Sequence, residues 1–479
     1  MRSMSRRLIA IVAVAVLLVG GGMIDRRHDH SRRVVSAAAA EPAVAGLMPT
    51  AAPPEALNSS WYCPAATAAP NGSADGLLVA FNTTDRPLTA QIAVVPSPGD
   101  TKTVTKPVGP HSTTNVWLHD VVNAPNAAAV VDFDGGGAVV DLFVIGPSGW
   151  DASPCASTAS QHWYFATGST DRDTTLSISL LNPFPEDAIV DLSFATDQGP
   201  SQPNEFQGVI VPGRGLTIVN VGDHVRRRVD VATTVTARAG RIVAGKIQTL
   251  PQPNPANIVA LGAPSAGGPW MFPDGYIEPG IVEQYHLYNP NDREAKVEVS
   301  FVLDQGSAEP FELTVPPQGT LTLAANDQPR IPKGMAHSAT VTSTNGVGVV
   351  AEMILSAAKP APRLGVGGVI GARRSARRWA FAAGATNPVT DEWVVLMNPG
   401  SRPATVSFVA AAEGQQIPIE GLQAMVVPSH GRIATHLGDH IGRDPLPLVV
   451  ESSEPVAAER DLYHVGGPGV SIAMGVPVG

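Results

Sequence analysis

The sequence predicts an all-β protein of several domains, and three observations indicate this class. The chain has 479 residues, which is more than a single hydrophobic core usually serves. Glycine and proline number 47 and 44, while charged residues make up only 15%, a balance typical of many short strands joined by turns. In addition, one pattern of residues recurs four times along the chain.

Each copy of this pattern opens with a tryptophan that is followed two positions later by phenylalanine or cysteine. The spacings between these tryptophans are 102, 107 and 109 residues, and the four are Trp61, Trp163, Trp270 and Trp379. Self-similarity at a fixed period is the signature of a repeat architecture. Because the residue occupies one position in every copy, we expect it in a core or between domains rather than at a ligand site.

An asparagine follows each tryptophan and precedes a strand pattern. The four are Asn82, Asn182, Asn289 and Asn398, and the last three are each followed by proline, a dipeptide that marks turns. Beyond each asparagine, apolar and polar residues alternate, as in the run from Ala295 to Phe301, which predicts a half-buried antiparallel strand. With further turn signals, each copy has room for about six to eight strands, which favours an immunoglobulin-like β-sandwich.

The predicted organisation is therefore four tandem immunoglobulin-like β-sandwich repeats after an N-terminal transmembrane or signal-anchor segment. The predicted boundaries are a cytoplasmic N-terminus (1–7), the anchor (8–24), a flexible stalk (25–57), sandwiches at 58–157, 158–265, 266–358 and 377–479, and a basic, glycine-rich linker at 359–376.

The N-terminal segment predicts export. Residues 8–24 are apolar or glycine and follow Arg2, Arg6 and Arg7, the charge pattern of a segment that enters the membrane with its N-terminus inside. We expect an uncleaved anchor, with one pass through the cytoplasmic membrane and the bulk of the chain extracytoplasmic. However, seventeen residues is at the lower limit for a membrane span. The alternative is therefore a secreted protein, cleaved near the small residues 36–40.

The charge distribution argues against nucleic-acid binding. Seven arginines and two aspartates in the first 33 residues give a local charge of +5. Because the whole chain has a net charge of −10, the remaining residues carry −15. Sequence-independent binding to nucleic acid depends on neutralising phosphates with basic residues. We therefore expect no nucleic acid among the partners.

The chain has two cysteines, Cys63 and Cys155, which bracket the first repeat. In an exported protein an even pair is usually a disulfide. The alternative is a pair of buried free thiols.

Two groups of residues are candidates for binding a cell-wall polymer. Arginines are dense in and beside the predicted linker, and three tryptophans do not recur in every copy, so they are free to form an exposed aromatic platform. These candidates are Arg363, Arg373, Arg374, Arg377, Arg378, Trp117, Trp150 and Trp393. A solvated linker and ordinary packing are the structural alternatives.

No set of residues in the sequence makes a convincing active site. The Gly-x-Ser-x-Gly, His-Glu-x-x-His, P-loop and dinucleotide-binding motifs do not occur in the sequence, and the Ser-x-x-Lys match at Ser356 and Lys359 lacks its Ser-Asp-Asn and Lys-Thr-Gly partners. Carboxylates recur at corresponding positions in three copies, as Asp141, Glu352 and Glu459, but paired catalytic carboxylates must lie within about 10 Å of each other. We expect no enzyme activity, no catalytic residue, no cofactor and no metal site.

The motifs Trp61-Tyr62-Cys63-Pro64 and the run from Trp163 to Thr170, followed by the run from Gly240 to Ala244, resemble an uncharacterised family of actinobacterial secreted or membrane-anchored proteins. The resemblance extends from about residue 55 to the C-terminus. It implies an envelope location and the Cys63–Cys155 pair, and it brings no known activity.

The leading hypothesis is therefore a non-enzymatic scaffold or interaction protein of the bacterial cell envelope, with envelope proteins as partners. The alternative is a binding module for cell-wall glycan or an anionic polymer. A third hypothesis, an envelope hydrolase or transferase, requires a pocket between repeats that sequence spacing does not reveal.

Overall fold

The computed structural model describes residues 47–412 and 414–479. Regular structure in these residues is almost entirely β-strand, so the predicted all-β class is confirmed. The helices are short 3-10 turns, at Leu118–Asp120, Asn204–Phe206, Val221–Asp223, Ala325–Asp327 and Leu437–Asp439. In this part of the chain, no helix has the length and apolar character needed to cross a bilayer. The predicted anchor at 8–24 and the cytoplasmic N-terminus lie outside the described residues.

The strands fall into four groups, which we call modules 1 to 4 (59–154, 162–261, 270–370 and 376–477). Module 1 contains β1 Ser59–Ala68, β2 Asp75–Asn82, β3 Leu88–Pro96, β4 Lys102–Val108, β5 Ser112–Trp117, β6 Ala124–Phe133, β7 Ala138–Gly146 and β8 Gly149–Pro154. Module 2 contains β9 His162–Phe165, β10 Thr175–Asn182, β11 Ala188–Thr196, β12 Gly199–Ser201, β13 Val209–Val211, β14 Gly215–Asn220, β15 Val231–Ala239, β16 Val243–Leu250 and β17 Ala256–Leu261.

Modules 3 and 4 follow the same order of strands. Module 3 contains β18 Trp270–Phe272, β19 Ile281–Asn289, β20 Ala295–Leu303, β21 Phe311–Val315, β22 Gly319–Ala324, β23 His337–Ser343, β24 Val350–Ala357 and β25 Gly365–Ile370. Module 4 contains β26 Ala376–Phe381, β27 Thr390–Asn398, β28 Ala404–Ala412, β29 Gln415–Pro418, β30 Met425–Val427, β31 Gly431–His436, β32 Leu448–His464, β33 Val470–Met474 and β34 Val476–Pro477.

The strands of each module pair in two sets, and the orders of these sets correspond between modules. In modules 2 and 3 the two sets are separate sheets, whereas in modules 1 and 4 they are joined into one sheet. The outer sheet of module 3 has the order β18-β23-β20-β21, and its inner sheet has the order β22-β19-β24-β25. In module 4 the long strand β32 takes part in both sheets, because its first half pairs with β26 and β28 and its second half pairs with β27 and β33. Buried side chains from both sheets, such as Tyr285 and Phe301 of module 3, meet in the core.

The recurrent tryptophans and asparagines have structural roles. All four tryptophans are at most 1% exposed. The indole N–H groups of Trp163, Trp270 and Trp379 donate to backbone carbonyl oxygens 2.8 to 2.9 Å away. The amide nitrogen of each recurrent asparagine donates to the carbonyl four residues ahead and to the valine carbonyl before the next turn, as Asn289 does to Arg293 and Val315. These residues therefore join strands within each module, as the recurrence predicts.

The four modules close on one another around a common centre. The inner edge strands pack in a cycle, with β8 against β17, β17 against β25, β25 against β33, and β33 against β8. Polar contacts cross this centre: the Val259 N–H donates to Asp151 Oδ2 over 2.8 Å, and the Ala152 N–H donates to Ser471 Oγ over 3.0 Å. A small cavity of about 70 Å³ lies at the centre, lined by these strands and by residues 47–49. Modules 1 to 4 thus form a closed ring rather than an extended string.

Two of the three recurrent carboxylates, Asp141 and Glu352, make contacts between modules, whereas neither carboxylate oxygen of Glu459 has a hydrogen-bond partner in the described residues. Asp141 of module 1 accepts hydrogen bonds from the backbone N–H groups of Ala382 and Ala383 in module 4, each over 3.0 Å. Glu352 of module 3 pairs with Lys246 of module 2 at 2.5 Å, and both side chains are at most 2% exposed. Buried charges are tolerated where they are paired and hydrogen-bonded. Asp141 and Glu352 therefore serve two different interfaces.

The predicted disulfide is confirmed. Cys63 and Cys155 are bonded, with an S–S distance of 2.00 Å, and both residues are buried. The bond joins the first strand of module 1 to the residue that follows its last strand.

Two predicted segments differ from the structure. The predicted linker at 359–376 contains strand β25, an inner edge strand of module 3 at the centre of the ring. Its glycines allow close packing: a Cβ atom on Gly367 would lie 2.9 Å from the carbonyl oxygen of Val470. The end of the predicted stalk is also packed, because Met48 and Ala51 are buried and the Ala51 N–H donates to Pro477 O over 3.0 Å.

Candidate functional site

A cleft between modules 3 and 4 gathers more ionisable and aromatic side chains than the apolar central cavity. Its volume is about 390 Å³, within the range of pockets that take small molecules. We call it the 3–4 cleft. Its polar and aromatic lining residues are Asp274, Tyr276, Glu278, Asp304, Arg363, Trp393, Arg432, Asp461 and Tyr463.

Arg432 joins the two modules along one wall of the 3–4 cleft. It lies on β31 of module 4, and its side chain is 2% exposed. Its two terminal nitrogens reach module 3, at 2.7 Å from Asp274 Oδ1 and 2.6 Å from Asp304 Oδ1. Charge-assisted pairs of this kind fix geometry as well as energy. Arg432 therefore sets the position of Asp274 at the cleft wall.

Arg363 and Trp393 meet on another part of the cleft. The guanidinium carbon of Arg363 lies 5.2 Å from the ring centroid of Trp393 and 4.0 Å from that of Tyr463. Arg363 also pairs with Asp391 at 2.6 Å. The indole of Trp393 stacks with His436, with ring centroids 4.9 Å apart. Because Arg363 and His436 both contact its ring, Trp393 is not a free aromatic platform.

Buried acids form the most unusual feature of the cleft. Asp461 is 1% exposed, and neither of its carboxylate oxygens has a hydrogen-bond donor among the described residues. Burial, followed by the negative charge of Asp274, raises the pKa of Asp461 well above its ordinary value. Burial and the charges of Asp461 and Asp274 similarly raise the pKa of Glu459.

The other modules show that the fold does not require this acid. Asp461 lies two residues after Glu459 on β32, and the residues two positions after Asp141, Lys246 and Glu352 are Phe143, Gln248 and Ile354. Two corresponding positions are thus apolar, and the third is a neutral amide. A buried acid without a cationic partner costs stability. Its presence in module 4 alone is typical of a functional position.

The structure brings together two of the eight predicted binding residues, Arg363 and Trp393. Trp117 stacks with His119 in module 1, at a centroid distance of 5.2 Å. Trp150 packs against Phe143 at the centre of the ring, with centroids 5.1 Å apart. The three tryptophans are therefore partly buried at three separate places.

Most of the arginine group is engaged by the protein itself. Arg373 is 9% exposed, lies 4.5 Å from the ring centroid of Trp270, and donates to Ser265 O over 3.1 Å. Burial lowers the pKa of Arg373 to about 10. Arg377 and Arg378 pair with acids of β32, Glu454 and Glu451, each at 3.3 Å, whereas Arg374 is exposed. These contacts connect elements of the ring and leave little free positive charge.

Sequence reasoning missed Asp274, Arg432 and Asp461. Each belongs to a different element, so their spacing in the sequence carries no motif. Among the described residues, no cluster of His, Cys, Asp or Glu is arranged to hold a metal ion.

The fold and the site define a class: a closed ring of four all-β modules with a polar cleft between two of them. Residues 147–255, which include β8 and most of module 2, match DUF5719, a family of unknown function. No curated protein matches the chain.

Several solved structures show limited similarity. A crystal structure of Thermotoga maritima 1070 is 25% identical over 22% of this chain and 94% of its own, with a TM-score of 0.21. The Anabaena sensory rhodopsin transducer is 27% identical over 18% and 80%, with a TM-score of 0.17. A tetra-tandem repeat from the extending region of a large adhesion protein is 10% identical over 85% and 96%, with a TM-score of 0.10. Similarities at this level carry no argument about function.

Proposed function

We propose that the protein is a non-enzymatic scaffold or interaction protein of the bacterial cell envelope. The N-terminal apolar segment holds it in the cytoplasmic membrane, and the bulk of the chain is extracytoplasmic. The apolar run after three arginines and the acidic remainder of the chain support this location. The four modules are immunoglobulin-like sandwiches, an assignment supported by the two separate antiparallel sheets of modules 2 and 3.

The observation that carries the proposal is the closed ring. A ring with buried pairs at its interfaces presents its surface loops in fixed positions, as a docking surface requires. The recurrent acids Asp141 and Glu352 are committed to those interfaces. This commitment supports a structural role for them over a catalytic one. It also favours a compact docking platform over an extended spacer.

The test is retention of partners by the full chain, purified in detergent with its disulfide intact. The immobilised protein is incubated with solubilised envelope membranes and, separately, with isolated wall polymers, at several salt concentrations. Saturable retention of the same membrane proteins in independent preparations is expected. If neither fraction is retained above a blank support, the scaffold proposal is wrong. N-terminal sequencing of the membrane fraction distinguishes an uncleaved anchor from a cleaved signal.

A second candidate function is binding of a small polar ligand or glycan in the 3–4 cleft. The cavity volume and the buried Asp461 favour it. The version of this hypothesis in which arginines bind an anionic polymer has weaker support, because Arg363, Arg377 and Arg378 pair with acids of the protein. Retention of wall polymer that is lost when the cleft is filled by a larger side chain would favour this second function.

A further inference from the structure

The charges of the 3–4 cleft decide which ligand chemistry it suits. Four acids and two arginines line it. Both arginines already have carboxylate partners, since Arg432 pairs with Asp274 and Asp304, and Arg363 pairs with Asp391. No lining cation is therefore left to receive an anion in the described part of the cleft.

The acids, in contrast, are incompletely paired. Neither oxygen of Asp461 receives a hydrogen bond from the described residues. Asp274 lines the same cleft, so a ligand cation seated between the two carboxyl groups would find acceptor oxygens on both.

We propose that the 3–4 cleft binds a primary ammonium group carried by a small polar molecule, with Asp461 and Asp274 as its receptors. This proposal rests on the second candidate function and names its ligand class. The ammonium group has three N–H donors and no acceptor, so it suits a site of unsatisfied carboxylate oxygens. Tyr276 and Trp393 line the same cleft and contact the body of the ligand.

The charged groups that act on Asp461 in the described residues come from several elements of modules 3 and 4. Asp274 comes from the loop after β18, Glu459 from the same strand as Asp461, Arg432 from β31, and Arg363 from the segment before β25. Tyr463 lies two residues further along β32. Burial raises the pKa of Asp461, so the ionised carboxylate that receives the ammonium group becomes more available as the pH rises, and affinity is expected to increase until the ligand amine loses its own proton.

The experiment is isothermal titration of the full chain in detergent with four probes. D-Glucosamine and L-lysine carry a primary ammonium on a sugar and on an amino acid, and they distinguish these two sources. D-Glucose and N-acetyl-D-glucosamine are the neutral counterparts. At least one amine is expected to bind in the cleft. Each neutral sugar is expected to bind with an affinity at least about tenfold lower, because it lacks one charge-assisted hydrogen bond.

Three variants locate the binding. Asp461→Asn replaces the ionisable carboxyl group with a neutral amide of almost the same shape, and it is expected to weaken amine binding at least about tenfold. Ala336→Trp fills the cleft from an uncharged lining position and is expected to abolish binding. Asp292→Asn, at an exposed acid in the turn between β19 and β20, is the matched control and should bind as the wild type does. Thermal unfolding of each variant verifies that it folds.

Four results would overturn the proposal. Binding of neither amine would do so, and the scaffold function would still stand on its own test. Equal binding of D-glucose and D-glucosamine, or unchanged binding by Asp461→Asn, would reject ammonium recognition while leaving a ligand-binding cleft. Amine binding that persists in Ala336→Trp would place the site elsewhere. Titration in two buffers of different ionisation enthalpy adds an independent readout, the release of up to one proton per ligand.

Discussion

The Lys246–Glu352 pair gives the most direct test of how the ring is held together. Its two charges come from neighbouring modules, lie 2.5 Å apart and are almost fully buried. Lys246 also donates to Thr167 O over 2.8 Å. The second oxygen of Glu352 has no hydrogen-bond partner in the described residues. Replacing Lys246 with methionine therefore leaves an isolated buried carboxylate.

The two ways of removing the pair have very different expected costs. Removing one partner of a buried ion pair costs about 3–5 kcal/mol, because the other charge stays desolvated and unpaired. Replacing both with apolar residues of similar volume is often neutral or stabilising. Lys246→Met alone should lower the free energy of unfolding by about 3–5 kcal/mol. The double variant Lys246→Met/Glu352→Met should come within about 1 kcal/mol of the wild type.

Urea unfolding followed by tryptophan fluorescence measures these changes, because Trp163 and Trp270 lie in the two modules that share the pair. Lys106→Met, at an exposed lysine on β4, is the control and should change stability by less than about 0.5 kcal/mol. A double variant as unstable as the two single changes added together would refute the reasoning. The pair would then stabilise through contacts other than the charges.

Three further predictions concern a buried acid, a recurrent tryptophan and the disulfide. Burial raises the pKa of Glu392 to about 8, so the stability contributed by its protonated form is present in full below about pH 4 and is lost as the pH rises through 8. Glu392→Gln should therefore raise the free energy of unfolding by a few kcal/mol at pH 9 and leave it unchanged at pH 4. A constant difference across this range would contradict the prediction. Trp163→Phe should lower the free energy of unfolding in urea by about 1–2 kcal/mol more than Trp61→Phe does. The reason is that the indole N–H of Trp163 donates to Ile242 O over 2.8 Å, whereas that of Trp61 has no acceptor in the described residues. Equal losses in the two variants would count against this prediction. Removing the disulfide with Cys63→Ala/Cys155→Ala should lower the free energy of unfolding by about 4 kcal/mol in the chain-entropy model, given a separation of 92 residues. Calorimetry should show a lower melting temperature for this variant, and the same decrease for the reduced wild type. An unchanged melting temperature would disprove the expectation.

The sequence predicted those features that repeat along the chain. Alternation after each asparagine identified strands such as Ala295–Leu303, and recurrence placed Trp270 in the core. Both signals arise from local physics, since a strand buries every second side chain and a module needs the same core residue each time.

The glycine-rich segment at 359–376 misled sequence reasoning for a physical reason. Glycine is common in flexible linkers, but it is also needed where two backbones approach closely. Gly367 has the second role, because β25 packs against β33 at the centre of the ring. Composition alone does not separate these two uses.

The 3–4 cleft could not be predicted from the sequence, because it depends on contacts between modules. Asp274 and Arg432 are 158 residues apart in the sequence, and no periodic pattern relates them. Their meeting follows from ring closure, which is set by the packing of four edge strands.

The closed ring also has a topological consequence for the chain. Residue 51 lies beside residue 477, joined by a backbone hydrogen bond of 3.0 Å, so the first and last modules are neighbours just as consecutive modules are. Circular permutation is tolerated where the original ends lie close together at the surface. A short linker from the C-terminal strand to residue 51, with new termini opened between modules 2 and 3, would therefore keep the four modules in the same cyclic order, at the cost of residues 47–49 in the central cavity. The order of the modules along the chain is one of several that can trace the same ring.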